Sequence, residues 1–249
     1  MAGAAAERQE TGVVNKVNSA VRKNQKNPVT VVSANGTKLG KIIKASKYSG
    51  RQVTGSEPYI DVIFEQVERN KIKKIGLSLK GESAPSLAGG GLRGINLAAP
   101  GLAKKFMTAA RKKLLDMGLD TGDKVPDVYG EIRGTQKKKI VVGNKDMGGP
   151  IDYMYIGPMS VIGSYDDKKN ILKLNGNIID AEYYAKSHKL YFRLRARRED
   201  QRFDPDAFDN AGIPKVYGKS PSRGDSAGRI VVTDSTPNNA VIVKIWINF

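Results

Sequence analysis

The residue types best suited to chemistry in this sequence are an aspartate and a lysine on two segments that are typical of neighbouring strands. Asp61 lies in the alternating segment 59–68, and Lys80 follows the alternating residues 75–79. If the two segments pair, the carboxylate and the ammonium group converge at one end of a sheet. Carboxylate oxygens are ligands for hard cations such as magnesium, manganese and calcium.

Composition narrows the remaining chemistry. The chain has no cysteine and a single histidine, His188. Disulfides, thiolate zinc sites and cysteine nucleophiles are therefore excluded, and sites that need several histidines are nearly excluded as well. A metal site in this chain would have to be built from carboxylates.

The order of elements around Asp61 resembles the PD-(D/E)xK nuclease superfamily over roughly residues 8–143. The shared order is a helix, strands with the aspartate, the lysine on the next strand, then a helix and a strand. The resemblance implies that Asp61 binds magnesium and that the ion and Lys80 activate water for attack on a phosphodiester. The family's second acid stands two residues before the lysine, where this chain has Ser78, so Glu82 or Glu65 would have to replace it. We take Glu82 as the second catalytic and metal-binding acid; an active nuclease, an inactive relative and a chance match all stay open.

A glycine-rich loop, GGGLRG at residues 89–94, literally satisfies the G-x-G-x-x-G pattern. The dinucleotide fingerprint needs glycines that open the helix itself, whereas the helix predicted here begins several residues later. Backbone N–H groups and Arg93 instead predict a phosphate contact, with a plain loop as the alternative.

The segment from Lys189 to Arg198 alternates between apolar and polar side chains. In a strand its apolar residues share one face, and a tyrosine and several arginines share the other. Guanidinium groups fit phosphate oxygens, and rings can stack on bases. The contact residues predicted here are Tyr191, Arg193, Arg195, Arg197 and Arg198. The alternative is a solvated outer face of a sheet.

The whole chain is strongly basic, with a net charge of +17 and a sequence pI near 9.9. This excess favours a polyanionic partner but says nothing about the fold. A helix predicted after Pro100 concentrates part of the charge. Its candidate nucleic-acid contacts are Lys104, Lys105, Arg111 and Lys112.

The elements that would position these residues predict an α+β protein. We expect a mixed sheet with flanking helices in residues 1–147 and mostly antiparallel strands in residues 148–249, although the two parts could pack as one unit. Predicted early elements are a helix over 5–24 and a hairpin around Asn35-Gly36. Later strands are predicted at 140–142, 151–162, 170–180, 181–196, 228–233 and 240–249.

Together these features predict a basic nucleic-acid-binding protein, with DNA favoured, that could carry a magnesium-dependent phosphodiesterase site. The alternative is a non-catalytic structural component of a virion or phage assembly that touches DNA or acidic neighbours, including further copies of itself. The N-terminal residues lack the pattern of a secretory signal, and no apolar run approaches about 18 residues. We therefore expect no membrane partner and a place in the cytoplasm, or in a virus particle assembled there.

Overall fold

The computed structural model describes residues 4–55, 57–82, 91–160, 162–195, 201–208, 212–218 and 229–245. Some predicted features lie outside these ranges, namely Arg197, Arg198, the first residues of the glycine loop and the end of the last strand. The backbone of Arg93 belongs to a helix, but its side chain lies outside the description.

The described chain is an α+β protein, as the sequence predicts. Its helices, in chain order, are α1 (Ala4–Lys23), α2 (Gly91–Ala98), α3 (Leu102–Asp116), α4 (Thr135–Val142) and α5 (Ala181–Ser187). Its strands are β1 (Val29–Val32), β2 (Lys38–Lys47), β3 (Val62–Glu68), β4 (Lys71–Lys80), β5 (Val128–Ile132), β6 (Tyr153–Ile156), β7 (Gly163–Asp166), β8 (Ile171–Leu174), β9 (Asn177–Asp180), β10 (Leu190–Arg195), β11 (Arg229–Thr233) and β12 (Val241–Val243).

The chain divides into two compact units, each built from two separate segments. The first unit comprises Met1–Pro85 with Val141–Ser187, and the second comprises Ser86–Ile140 with His188–Phe249. This division differs from the expected boundary between residues 147 and 148. The physical reason is that β6 pairs in parallel with β4, so a strand distant in sequence belongs to the first unit.

The first unit contains a mixed sheet of eight strands in the order β7-β8-β1-β2-β3-β4-β6-β9. The pairs β1–β8 and β4–β6 are parallel, and the other neighbours are antiparallel. The predicted hairpin is confirmed, since Val29 pairs with Ile42 and Gly36 holds a φ of 82° in the turn. The predicted pairing of β3 with β4 is also confirmed, with Val62 opposite Leu77.

This sheet curls until its two edge regions meet. β8 lies next to one edge and β9 forms the other edge, yet only Asn175 and Gly176 connect them. The β1–β2 turn bridges the junction: Ala34 N–H donates to the Gly176 carbonyl at 3.0 Å, and the Asn35 amide donates to the Ile178 carbonyl at 3.0 Å. The asparagine of the predicted turn therefore also joins strands far apart in sequence.

Helix α1 packs on the concave face of the curled sheet. Its buried apolar residues follow helical spacing and join the inward strand residues in one core: Val13, Val17, Ala20 and Val21. Asn18 fixes the helix to β2, because its amide donates to the Ala45 carbonyl and its Oδ1 accepts from Ala45 N–H, both at 2.9 Å. The helix thus supplies the apolar filling that the concave face requires.

The second unit contains a four-stranded sheet in the order β11-β10-β5-β12. The predicted alternation along β10 is confirmed, because Leu190, Phe192 and Leu194 are fully buried. Helix α3 packs on this apolar face, with the rings of Phe106 and Phe192 5.3 Å apart. Gly130 lies opposite Phe192, and its missing side chain leaves room for the Phe106 ring.

Two strand predictions are wrong. Residues 140–142 form the last turn of α4, and residues 181–187 form α5 rather than the start of a strand. A short apolar run does not distinguish a buried helix turn from a strand, which explains the first error. In the second, Asp180 Oδ1 accepts Tyr183 N–H at 2.7 Å and caps the helix, and Ala181, Tyr184 and Ala185 are buried at helical spacing.

We expect Gly176→Ala to lower the free energy of unfolding by about 1–3 kcal/mol, because the added methyl group overpacks the junction of the sheet edges. A Cβ at this position would lie 2.4 Å from the Tyr155 ring, and Gly157 approaches Gly176 on the other side. Urea denaturation measures the loss. Gly81→Ala is the control, because its Cβ would meet only the flexible end of Met159; an equal loss in both variants would contradict a tightly packed junction.

Candidate functional sites

A groove on the second unit brings together lysines from two elements. It has a volume of about 550 Å³, and we call it the lysine groove. Its lining residues are Gly101, Lys104, Lys105, Thr108, Ala109, Lys112, Lys244 and Ile245. The structure thus assembles three of the predicted contact residues of α3 on one surface. Sequence reasoning missed Lys244, since its approach depends on the parallel pairing of β12 with β5.

The packing of α3 explains why these lysines share a surface. The buried residues of the helix are Leu102, Ala103, Phe106, Met107, Ala110 and Leu114. Because they occupy one side of the helix, Lys104, Lys105 and Lys112 must lie on the other side, where all three are exposed.

The lysine groove retains most of its positive charge. Lys112 forms an ion pair with Asp116, one helical turn away, at 2.7 Å. In the part of the chain that the structure describes, no carboxylate lies within 4 Å of the ammonium groups of Lys104, Lys105 or Lys244. A phosphate group in the groove would therefore meet cations that are not already paired.

Arg111 does not line the lysine groove, although it belongs to the same helix. Its guanidinium lies over the Phe208 ring, 5.5 Å from the ring centroid, in a cation–π contact. The packing of α3 turns this side chain away from the exposed lysines, so the structure separates Arg111 from the three lysines that the sequence grouped with it.

The arginines of β10 differ from one another in their surroundings. Arg193 donates from Nε and an Nη to Asp127 Oδ2 at 2.8 Å and 2.5 Å, and it lies over the Tyr129 ring at 6.0 Å. Tyr191 pairs with Glu131 and Thr233 on the neighbouring strands. Arg195 is half-buried and pairs with Arg229 across the strands. Arg193 is therefore engaged by an acid of its own unit, whereas Arg195 has no acid opposite it.

Asp61 and Lys80 lie at the same end of the first unit's sheet, as strand pairing predicts. Asp61 Oδ2 accepts hydrogen bonds from Leu79 N–H at 2.6 Å and from Ser78 Oγ at 3.1 Å. The carboxylate thus takes the place of a backbone carbonyl at the end of the β3–β4 ladder. Ser78, which stands where the nuclease family has an acid, instead donates to that carboxylate and is almost fully buried.

Two acids that the sequence analysis did not single out approach Asp61. Burial raises the pKa of Asp61 most, Lys80 lowers it, and the charge of Glu57 raises it further. Burial also raises the pKa of Glu10 on α1, and the charge of Asp61 adds to that effect, while Lys47 opposes it from 3.5 Å. These residues border an acidic cavity of about 370 Å³.

Glu82 does not join this acidic cavity. Its charge acts instead on Tyr155, whose pKa rises to about 12, mainly because the ring is buried. Within the described ranges, no three carboxylates or imidazoles lie close enough to share a metal ion. Asp61 Oδ2 is also occupied by two donors, so Asp61 and Glu82 do not fit the expected magnesium site.

Membrane association through a spanning helix finds no support in the described part of the chain. None of the helices described there is both long enough and apolar enough to cross a lipid bilayer.

We expect Asp61→Asn to stabilise the protein relative to the parent as pH rises from about 4 towards neutrality. The folded state holds protons on Asp61 and Glu10 more tightly than the unfolded chain, since both pKa values are raised. Stability carried by these groups is therefore lost as pH increases through this window, and asparagine removes one of them. Asparagine still accepts from Leu79 N–H, whereas Asp61→Ala should cost about 1–3 kcal/mol at every pH. Urea denaturation at several pH values measures both effects; a parent and an Asn variant with parallel pH profiles would contradict the expectation.

We expect Arg193→Ala to lower the free energy of unfolding by about 1–2 kcal/mol, because Asp127 loses both of its guanidinium donors. Arg195→Ala is the matched control on the same strand and face, and it should change stability by less than about 0.5 kcal/mol. Thermal and urea denaturation compare the two variants. Equal stability of both would show that the Arg193–Asp127 pair contributes nothing measurable.

Comparisons with known proteins add no relative to this picture. No protein-family model, no curated protein and no solved structure matches the chain significantly. The functional argument therefore rests on the side chains and surfaces that the structure describes.

Proposed function

We propose that this protein binds nucleic acid through the lysine groove, with DNA as the first ligand to test. The observation that carries the proposal is the convergence of four lysines from α3 and the end of β12 on one surface. Only Lys112 among them is paired with an acid in the described chain. Sequence-independent attraction of phosphates by unpaired lysines is the main source of affinity in such complexes.

The spacing of the lysines suits a phosphate backbone. Lys104 and Lys112 are separated by about 12 Å along the helix axis. Successive phosphates of one DNA strand rise by about 3.4 Å along the duplex axis, so this length spans about three to four phosphates. Lys244 adds a cation from the neighbouring strand, which broadens the contact.

The chemistry of the groove favours contact with the backbone over reading of bases. Its lining residues include no aromatic ring on which a base could stack. The remaining lining side chains are small or apolar, including Thr108, Ala109 and Ile245. Contacts of this kind position a protein on nucleic acid without carrying sequence information.

Magnesium-dependent cleavage is not part of this proposal. It stays a prediction from the family resemblance, because Glu82 lies apart from Asp61 and the oxygen Oδ2 of Asp61 is engaged by Leu79 and Ser78. The role of an assembly component likewise stays a prediction, since no described surface favours it over nucleic-acid binding.

We expect Lys105→Glu to weaken binding of a labelled 30-base-pair duplex about five- to tenfold and to reduce the salt slope by about 1, because one phosphate contact is lost. Fluorescence anisotropy at 50–200 mM salt gives both quantities. Lys113→Glu is the matched control, since it makes the same charge change on the exposed side of the same helix but outside the groove.

Equal weakening by Lys105→Glu and Lys113→Glu would mean that net charge, and not the groove, controls binding. The same samples, incubated with magnesium and read for cleavage, test the nuclease prediction separately. Cleavage that is lost in Asp61→Asn would restore the acidic cavity as a catalytic candidate.

A further inference from the structure

The hairpin formed by β3 and β4 projects beyond the rest of the first unit. In β4, residues 71–74 are all exposed, on both faces, whereas residues 75–79 are all buried. Ile72 is 62% exposed, although it lies in the middle of a paired strand. The end of this hairpin, residues 65–74, is therefore a two-stranded ribbon that no helix covers, and we call it the basic hairpin.

The backbone holds the basic hairpin in one register. Arg69 and Asn70 form a two-residue turn with φ values of 49° and 62°, the left-handed conformations that suit the twist of a tight hairpin. The ladder continues without a bulge from Glu68 opposite Lys71 to Val62 opposite Leu77. A rigid ribbon of this kind can be presented to a partner without first being ordered.

The basic hairpin carries four cations in six residues: Arg69, Lys71, Lys73 and Lys74. Its own acids are Glu65 and Glu68, and Glu65 pairs with Lys44 of β2 at 3.8 Å. Among the described residues, none of the four cations has a carboxylate within 4 Å. A surface cavity of about 450 Å³ lies against Arg69, Lys71 and Lys73.

One edge of the basic hairpin also offers backbone donors. β6 pairs with β4 only from Leu77 to Lys80, so no described strand covers the outer edge of residues 71–75. Gly76 N–H points to this side, where it donates to Asp152 Oδ2 at 2.7 Å. Because alternate residues of a strand direct their N–H groups to the same side, those of Lys74 and Ile72 also face outward.

We propose that the basic hairpin is a second nucleic-acid contact, which seats as a two-stranded ribbon in the major groove of a duplex. The inference rests on the proposed function for the nature of the ligand, but it uses a different unit of the chain. Paired strands lie about 4.8 Å apart, and the major groove is about 12 Å wide and admits a two-stranded ribbon. The lysines and outward N–H groups can then contact the phosphates that line the groove.

Protection of a sheet edge is the competing explanation for these lysines. Charged residues on an exposed edge prevent it from pairing with other chains, and for that purpose glutamate serves as well as lysine. Nucleic-acid contact requires positive charge. Reversal of charge on the hairpin therefore separates the two explanations, because it keeps the protection and removes the attraction.

The experiment compares the full-length parent with Lys71→Glu/Lys73→Glu and with the conservative variant Lys71→Arg/Lys73→Arg. Lys168→Glu/Lys169→Glu is the matched control, since it makes the same charge change in the exposed turn between β7 and β8 of the same unit. Anisotropy with a 30-base-pair duplex and with a single strand of equal length is read across a salt series. Circular dichroism and size-exclusion chromatography check folding and aggregation.

We expect Lys71→Glu/Lys73→Glu to weaken duplex binding at least tenfold and to lower the salt slope by about 2, the value for two lost phosphate contacts. The arginine variant should bind like the parent, the turn control should change affinity much less, and the single strand should lose less affinity than the duplex. All variants should stay folded and monodisperse to the same degree as the parent.

The inference is overturned if the hairpin variant and the turn control bind alike, or if the duplex and the single strand lose equal affinity. Weakening by Lys105→Glu alone would leave the proposed function standing and remove the second contact. Weakening by the hairpin variant alone would do the reverse, and a parent that binds neither ligand would remove both.

Discussion

The closure of the eight-stranded sheet is the constraint on which the first unit depends. Only Asn175 and Gly176 connect β8 to β9, so strands at opposite ends of the sheet order have to lie side by side. Glycine is required at this junction because the Tyr155 ring and Gly157 leave no room for a side chain. The resulting curvature creates the concave face that α1 fills, and it removes most of the open edges that a flat sheet would expose.

The stretch of β4 that stays outside this closure is the part that remains available for contacts. From Leu77 onward β4 is covered by β3 and β6, and its residues are buried. Before Ile75 it has β3 on one side only. The same strand thus supplies core residues at one end and an exposed basic ribbon at the other, and its far end holds Asp61 through Leu79 and Ser78.

Charged residues in this protein fall into two groups that composition alone does not separate. Some are engaged inside a unit, as Arg193 is with Asp127, or Glu10 with Lys47. Others, such as Lys105 and Lys73, have no acid beside them in the described chain. A net charge of +17 predicts an anionic partner, but only the unpaired cations can bind it without first breaking an internal ion pair.

The sequence by itself determined the features that depend on local periodicity. The α+β class, helix α1, the Asn35-Gly36 hairpin, the β3–β4 pairing and the alternation of β10 all follow from spacing and turn chemistry. Only the tertiary structure decided the two-segment units, the closure of the sheet and the assembly of Lys244 beside α3, because these depend on pairing between residues far apart in the chain. It also decided that Ser78 supports Asp61 and that Glu82 lies elsewhere, since a two-residue spacing does not reveal where each side chain finds a partner.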